Sequence, residues 1–194
     1  MTKSTPMGSL DTPFNPISVA LGAEASFVAR THDMDRAHMQ EIFRRAHDHR
    51  GAAIVEVYQN CNVFNDGAFA ALTKKDARAE MLIPLEHGKP VRFGPDGERG
   101  VILDDGVARI VSVAEVGVDA LHIHDETAAD LSVAFALSRL ADDRESPTPI
   151  GVYCAVDRLE YGGGIDAQIA AAQADRGPGD LEELLHSLPT WEVT

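Results

Sequence analysis

Few side chains in this sequence combine a reactive type with a useful spacing. The first is Cys61 in YQNCNVFND, Tyr58 to Asp66, a single thiol that follows an apolar run by three positions and is flanked by asparagines. A thiolate serves as a nucleophile or as a ligand for a soft metal, but an iron–sulfur cluster or a zinc ion needs several ligands. No CxxC pattern and no suitably spaced histidine accompanies it. Two readings stay open: a small buried residue at a strand end, or one ligand of a site completed elsewhere. The second candidate is ALHIHD, where His122 and His124 would share a strand face with Asp125 next to them, a minimal two-histidine metal site or a solvated strand face. Cys154 lies inside the apolar run GVYCAV and reads as core. His47 and His49 point to different sides of a helix and read as surface. YGGG, Tyr161 to Gly164, lacks the Lys and Ser/Thr of a phosphate-binding loop and reads as a hinge. No GxSxG, HExxH or paired-carboxylate spacing occurs.

The elements that must position these groups follow from the patterning. KSTPMGSLDTPF holds Pro6, Gly8 and Pro13 and reads as an irregular loop. Asn15-Pro16 caps and opens a short helix, ISVALGAE. SFVAR, 26–30, is a short buried strand. Asp33 or Asp35 caps a second helix in which Met39, Ile42, Phe43 and Ala46 recur at helical spacing, ended by Gly51. AAIVEVY, 52–58, is a second strand. Strand, helix and strand in about thirty residues form a βαβ unit with parallel strands and a right-handed crossover. Cys61 then sits at the carboxyl edge of the strands, where open α/β sheets hold ligands.

Beyond Asp66 the regularity changes. KKDARAE gives a helical turn or two. MLIPLEHGKPVRFG and GVILDDGVARIVSV alternate around HGKP and DDG and predict hairpins. AADLSVAFALSRLAD is a helix with Leu131, Phe135 and Leu140 as buried candidates. PIGVYCAV is a strand, IDAQIAAAQAD a helix, and GPGD opens a last short helix, LEELLHSL. Two parallel strands alone cannot form a covered sheet. Either later segments complete it, or strands come from sequence upstream or from a partner chain.

Composition narrows the function classes. The 194 residues and 44% hydrophobic content suit a globular core. Residues 1–66 carry six Lys+Arg against eight Asp+Glu, and residues 67–194 carry eleven against twenty-three, within a net charge of -14. Such an acidic chain is expected to have no nucleic-acid partner and no anionic membrane partner. No apolar stretch reaches the roughly 18 residues that span a bilayer, and the start lacks the order of a signal peptide. Two cysteines fit a reduced compartment, so a cytoplasmic location is expected.

The blocks KSTPMGS, FNPISVALGAEASFVAR and HRGAAIVEVYQNCNVFND, in this order, resemble the second half of the thiamine-diphosphate domain in the β subunit of 2-oxoacid:ferredoxin oxidoreductases, most closely the 2-oxoglutarate type. LEHGKPVRFG, the HD before FALSRL, PIGVY, and GPGDLEELLHS near the tryptophan of TWEV resemble that subunit's C-terminal extension. The resemblance implies an α/β fold: an incomplete parallel sheet of the thiamine-diphosphate-binding domain over 1–66, then an α+β extension with hairpins and helices over 67–194. It implies thiamine diphosphate held through Mg²⁺, a [4Fe-4S] cluster with Cys61 as its fourth ligand, coenzyme A as acyl acceptor, and an α subunit and ferredoxin as partners. The family's GDGD motif and its other three cluster cysteines would precede KSTPMGS, and these 194 residues contain none of them. Cys154 matches no ligand position. The chain thus corresponds to about the C-terminal half of such a subunit, a fragment expected to be inactive alone. The alternative is a stand-alone, non-catalytic assembly or interaction module with the same partial fold.

Overall fold

The computed structural model describes residues 5–8, 10–64, 66–74, 77–141, 146–189 and 191. The ends of several expected segments therefore lie outside the described residues: Lys3, Ser4 and Ser9 of the opening loop, Asn65 of the cysteine block, Lys75 and Asp76 of KKDARAE, Asp142 after the FALSRL helix, and Thr190, Glu192 and Val193 of TWEV.

Residues 1–158 form one compact unit. It opens with helix α1 (Pro16–Gly22), whose expected cap is present: the Asn15 side chain accepts a hydrogen bond from the Ser18 amide at 3.1 Å. Strand β1 (Phe27–His32) is buried along its whole length and runs two residues beyond the expected SFVAR. Asp35 caps helix α2 (Arg36–Asp48), accepting from the His38 amide. Strand β2 (Ala53–Tyr58) then pairs parallel with β1, Phe27 opposite Ala53 through His32 opposite Tyr58. The βαβ unit read from the sequence is thus present. Along α2 only Ile42 of the periodic apolar set is fully buried, and Phe43 is exposed.

Single turns α3 (Ala70–Thr73) and α4 (Arg78–Met81) lead into strand β3 (Leu82–Leu85). Strands β4 (Arg92–Phe93), β5 (Arg99–Asp104) and β6 (Val107–Ser112) make a separate antiparallel sheet. The β5–β6 hairpin around DDG is as expected. Its turn places Asp105 and Gly106 at positive φ, 49° and 78°, the backbone that a two-residue loop between twisted strands requires. The hairpin expected around HGKP does not form. β3 leaves for the main sheet while β4 pairs with β5, because Val91 donates its amide to the His122 carbonyl and turns the chain away. A further turn, α5 (Val113–Val116), precedes helix α6 (Ser132–Ser138) and strand β7 (Thr148–Ala155). α6 buries Ala134, Ala136 and Leu137; Leu131 and Leu140 are partly buried and Phe135 is exposed.

β7 and β3 answer the problem of the short sheet. β7 lies antiparallel against β1, and β3 lies parallel against β7, giving the order β2-β1-β7-β3. The fold is α/β with a parallel unit and a later hairpin, and the sheet itself is mixed. Gly151 makes the β7–β3 contact possible: its φ is 121°, and a Cβ there would stand 2.7 Å from the Leu85 carbonyl oxygen. One face of the sheet packs Val28, Ile83 and Tyr153 with Ile17 and Leu21 of α1 and Leu137 of α6. The other packs Phe27, Ala29 and Val152 with Ile42 of α2. The division expected at residue 66 runs inside this unit, since strands from both sides of it share one sheet.

Residues 159–194 form the second unit. YGGG does not break the chain here but opens helix α7 (Tyr161–Arg176), because the Glu160 carboxylate accepts the Gly163 amide and so caps the glycine-rich first turn. Asp180 caps the last helix, α8 (Leu181–Leu185), through the Glu182 and Glu183 amides.

At the centre of the main sheet lies Arg30, 1% exposed, on β1. Its Nε donates to the Glu56 carboxylate at 2.7 Å, and Nη1 donates to the Tyr153 hydroxyl at 2.7 Å and the Pro149 carbonyl at 3.3 Å. Removing one member of a buried ion pair leaves the other charge unmatched, which costs about 3–5 kcal/mol. Arg30→Met is therefore expected to lower unfolding free energy by about that amount, and Arg30→Met with Glu56→Gln to recover part of it. Urea unfolding followed by circular dichroism measures both.

Candidate functional site

The carboxyl ends of β1 and β2 bring together loops 33–35 and 59–69, and Cys61 lies in the second of these. Asn60 organises that loop. Its amide donates to Asp33 Oδ2 at 3.2 Å, its Nδ2 donates to Asp66 Oδ1 at 2.8 Å, and its Oδ1 accepts the Gly67 amide at 2.8 Å. Asparagine serves here because one side chain both donates and accepts, closing a loop around the positions between 60 and 67. Below the loop, the Tyr58 ring stacks on Phe69 with centroids 4.4 Å apart and planes 13° apart, and the Arg30 guanidinium lies 5.0 Å from the Tyr58 centroid. The thiol-bearing loop is thus anchored through aromatic contacts to the buried ion pair. Asp33, Met34, Asn60, Gly67, Phe69 and Thr73 border a small cavity of about 230 Å³ beside it.

Cys61 is exposed, at the strand's carboxyl edge as expected, with exposed Val63 and Phe64 just beyond it. Cys154 is buried, its thiol 3.6 Å from the Ala25 carbonyl oxygen and its acidity suppressed by burial. Neither is in a disulfide. Among the described residues no three His, Cys, Asp or Glu side chains converge as a metal site. The exposed Cys61 thiol is a donor suited to one position of a cluster, and the donors among the described residues do not make up a whole cluster or a Mg²⁺-diphosphate site.

The other histidines fall differently from their sequence pattern. His122 and His124 flank an isolated bridge between Ile123 and Pro90 rather than lying on a strand. His124 is buried and donates Nε2–H to the Val152 carbonyl at 2.7 Å, while Asp125 is turned into a local bond with Thr127 and faces His87 at 3.5 Å. His49 is not a surface group: its Nε2 lies 2.9 Å from Ser26 Oγ and its ring packs 5.4 Å from Phe27. The sequence reading missed His32, the last residue of β1, which is buried with Nδ1 lacking a partner among the described residues. The available signal was its place, one residue before the acidic turn at the end of a strand that starts as an apolar run.

With this geometry in view, the similarities of the chain are specific. No family model matches it. Over its whole length it is 45% identical, across 195 aligned residues, to the 2-oxoglutarate oxidoreductase subunit KorB of Mycobacterium tuberculosis; the match covers 100% of this chain and 52% of that protein. The 2-oxoacid:ferredoxin oxidoreductase subunit beta of Saccharolobus solfataricus is 38% identical over 65 residues, 34% of this chain and 21% of its own. The chain spans about half the length of the curated relative it matches throughout. Its fold is shared by a 2-oxoglutarate:ferredoxin oxidoreductase chain from Magnetococcus marinus, solved with 2-oxoglutarate, coenzyme A and succinyl-CoA bound, at a TM-score of 0.63 and 19% identity over 98% of this chain and 50% of that one. Among the described residues no helix is long and apolar enough to cross a membrane.

His32, His38, His122 and His124 share one electrostatic condition. Burial, above all, holds each below the 6.5 of an ordinary imidazole, with the Arg78 charge adding to the effect at His32. In the window between the lowered folded values and 6.5 the unfolded chain binds more protons, so stability rises with pH there. Stability is expected to be complete above about pH 6.5 and to fall as pH drops below it. Thermal unfolding followed between pH 7.5 and 5.5 reads this decline, and a flat profile would show these rings to be as accessible to protons when folded as when unfolded.

Proposed function

We propose that this chain forms part of the β subunit of a 2-oxoacid:ferredoxin oxidoreductase, acting on 2-oxoglutarate in the cytoplasm together with an α subunit. The similarity to KorB along the entire chain supports this reading most directly. Residues 1–66 then represent the last part of the thiamine-diphosphate domain and 67–194 the C-terminal extension.

In the assembled enzyme, thiamine diphosphate with Mg²⁺ would supply the decarboxylation chemistry, coenzyme A would be the acyl acceptor, and a [4Fe-4S] cluster would supply single-electron transfer to ferredoxin. This chain's contribution is Cys61. The β1–β2 ladder behind it and the Asn60 bonds around it fix the loop from which its thiolate projects, and fixed placement is what a cluster ligand needs. The remaining ligands and the diphosphate site come from outside these 194 residues.

A second reading, a non-catalytic assembly module, draws support from the sheet: β7 and β3 extend it from within the chain. The two readings separate on Cys61. In a complex that also holds the remainder of a β subunit and its α partner, Cys61→Ser replaces a soft thiolate with a hydroxyl. It is expected to lose most of the iron and visible cluster absorbance and to abolish ferredoxin reduction, with thiamine diphosphate binding retained. Cys154→Ser is expected to keep the cluster. Full iron content and normal electron transfer in Cys61→Ser would remove the assignment.

The 194-residue chain by itself is expected to show no Mg²⁺-dependent uptake of thiamine diphosphate at micromolar concentration. Calorimetric titration tests this, and tight binding would mean that the diphosphate site lies within the chain after all.

A further inference from the structure

Nothing buries the loop that displays Cys61. Every described residue from Gln59 to Gly67 is exposed, and even Val63 and Phe64 keep 73% and 68% of their surface open to solvent. The stretch borders the small cavity near Met34 and Phe69 rather than a filled core. Apolar packing, which fixes most side chains of the first unit, therefore does not fix this one. A ligand of a metal centre nevertheless has to stand within about 0.5 Å of its productive position.

Polar bonds take over that task, and they converge on the residue next to the thiol. The Asn60 amide donates to Asp33 Oδ2, in the turn after β1, so the backbone that enters Cys61 is referenced to β1 as well as to the end of β2. Across the loop, the Asn60 side chain meets Asp66 Oδ1 and the Gly67 amide, each at 2.8 Å, and so ties the departing chain to the arriving one. Its orientation is fixed by its partners. A carboxylate only accepts and a backbone amide only donates, so Nδ2 faces Asp66 and Oδ1 faces Gly67. Aspartate at position 60 could still accept from Gly67, but it would set two carboxylates against each other.

We propose that Asn60 is a positioning residue for the iron–sulfur cluster: with Asp66 it forms a clasp that holds the Cys61 thiolate in its ligating place before a cluster binds. The role in cluster retention rests on the reading of Cys61 as a ligand, whereas the clasp belongs to the 194-residue chain and is measurable without iron. A thiolate presented from a preformed loop gives up little conformational freedom on ligation. The clasp therefore acts on how long iron is retained, and the stability of the fold, whose core lies elsewhere, is expected to be unaffected.

Exchanging donor and acceptor tests this. In the 194-residue chain, hydrogen exchange is expected to show a protected Gly67 amide, with Asn60→Ala and Asn60→Asp each exchanging it about tenfold faster at an unchanged thermal midpoint. Asp66→Asn alone is expected to change little, because an amide oxygen also accepts from Nδ2. Asn60→Asp combined with Asp66→Asn rebuilds both side-chain bonds with the roles reversed, and protection is expected to return. In the complex with the remainder of the β subunit and the α partner, iron release to a chelator is expected to be about tenfold faster in Asn60→Ala and Asn60→Asp and restored in the double variant. An unprotected Gly67 amide in the unaltered chain, or no recovery in the double variant, would overturn the proposal. Iron lost by Cys61→Ser but kept at the unaltered rate by both Asn60 variants would overturn it alone; iron kept by Cys61→Ser would overturn the reading of the cysteine and the proposal with it.

Discussion

The Arg30 guanidinium is the constraint on which the rest of the first unit depends. It is a permanent charge in the middle of a sheet, flanked by the Tyr58 ring at 5.0 Å and the Tyr153 ring at 5.6 Å. Such a charge is tolerable only with its hydrogen bonds filled. Its partners come from the two strands that flank β1, Glu56 from β2 and Tyr153 and Pro149 from β7. Tyr153 passes the bond on, its hydroxyl donating to the Pro149 carbonyl at 2.9 Å, and burial keeps that phenol protonated against the opposing pull of the Arg30 charge. The register of three strands is therefore tied to one side chain, because a slip of one residue would turn a partner to the opposite face. Through Tyr58 and Phe69 the same constraint reaches the loop that displays Cys61.

How much of this was legible in the sequence depended on the range of the interaction. Local rules were sufficient for α1, α2 and β2, since the Asn15 and Asp35 caps, the helical spacing and the β-branched run all act within a few residues. They were also sufficient for the β5–β6 turn, where Asp105-Gly106 dictates the backbone. They failed where the partner is distant. β3 and β4 both alternate apolar and polar residues around HGKP, and nothing local says that β3 will pair with β7 some sixty-five residues on. YGGG read as a hinge because three glycines disfavour a helix interior, whereas the capping carboxylate of Glu160 decides the outcome at a first turn. His49 read as surface from helical angle alone, yet it lies just past the end of α2 and folds onto Ser26 and Phe27.

The candidate sites divide in the same way. Cys61 was visible because its position after an apolar strand is a local property, and its loop geometry bears out the placement at the carboxyl edge. The α2-side cavity, about 960 Å³, is lined from His32 to Val152, by segments up to 120 residues apart that carry no motif. Its chemistry exists only after β3, β7 and α2 have been brought around one space.

The antiparallel pairing of β1 with β7 joins Ala29 to Val152, residues separated by most of the first unit. Contacts of that sequence separation carry a large loop-closure cost and slow the search for the native state. On a ribosome the β1–β2 ladder and α2 can assemble early, but the strand that covers the open side of β1 emerges only after some 120 residues have followed. For that interval β1 presents unpaired amides and carbonyls along a strand that is buried throughout in the native fold, an edge competent to recruit other chains. The order of synthesis thus leaves the open edge of β1 uncovered until β7 has been made.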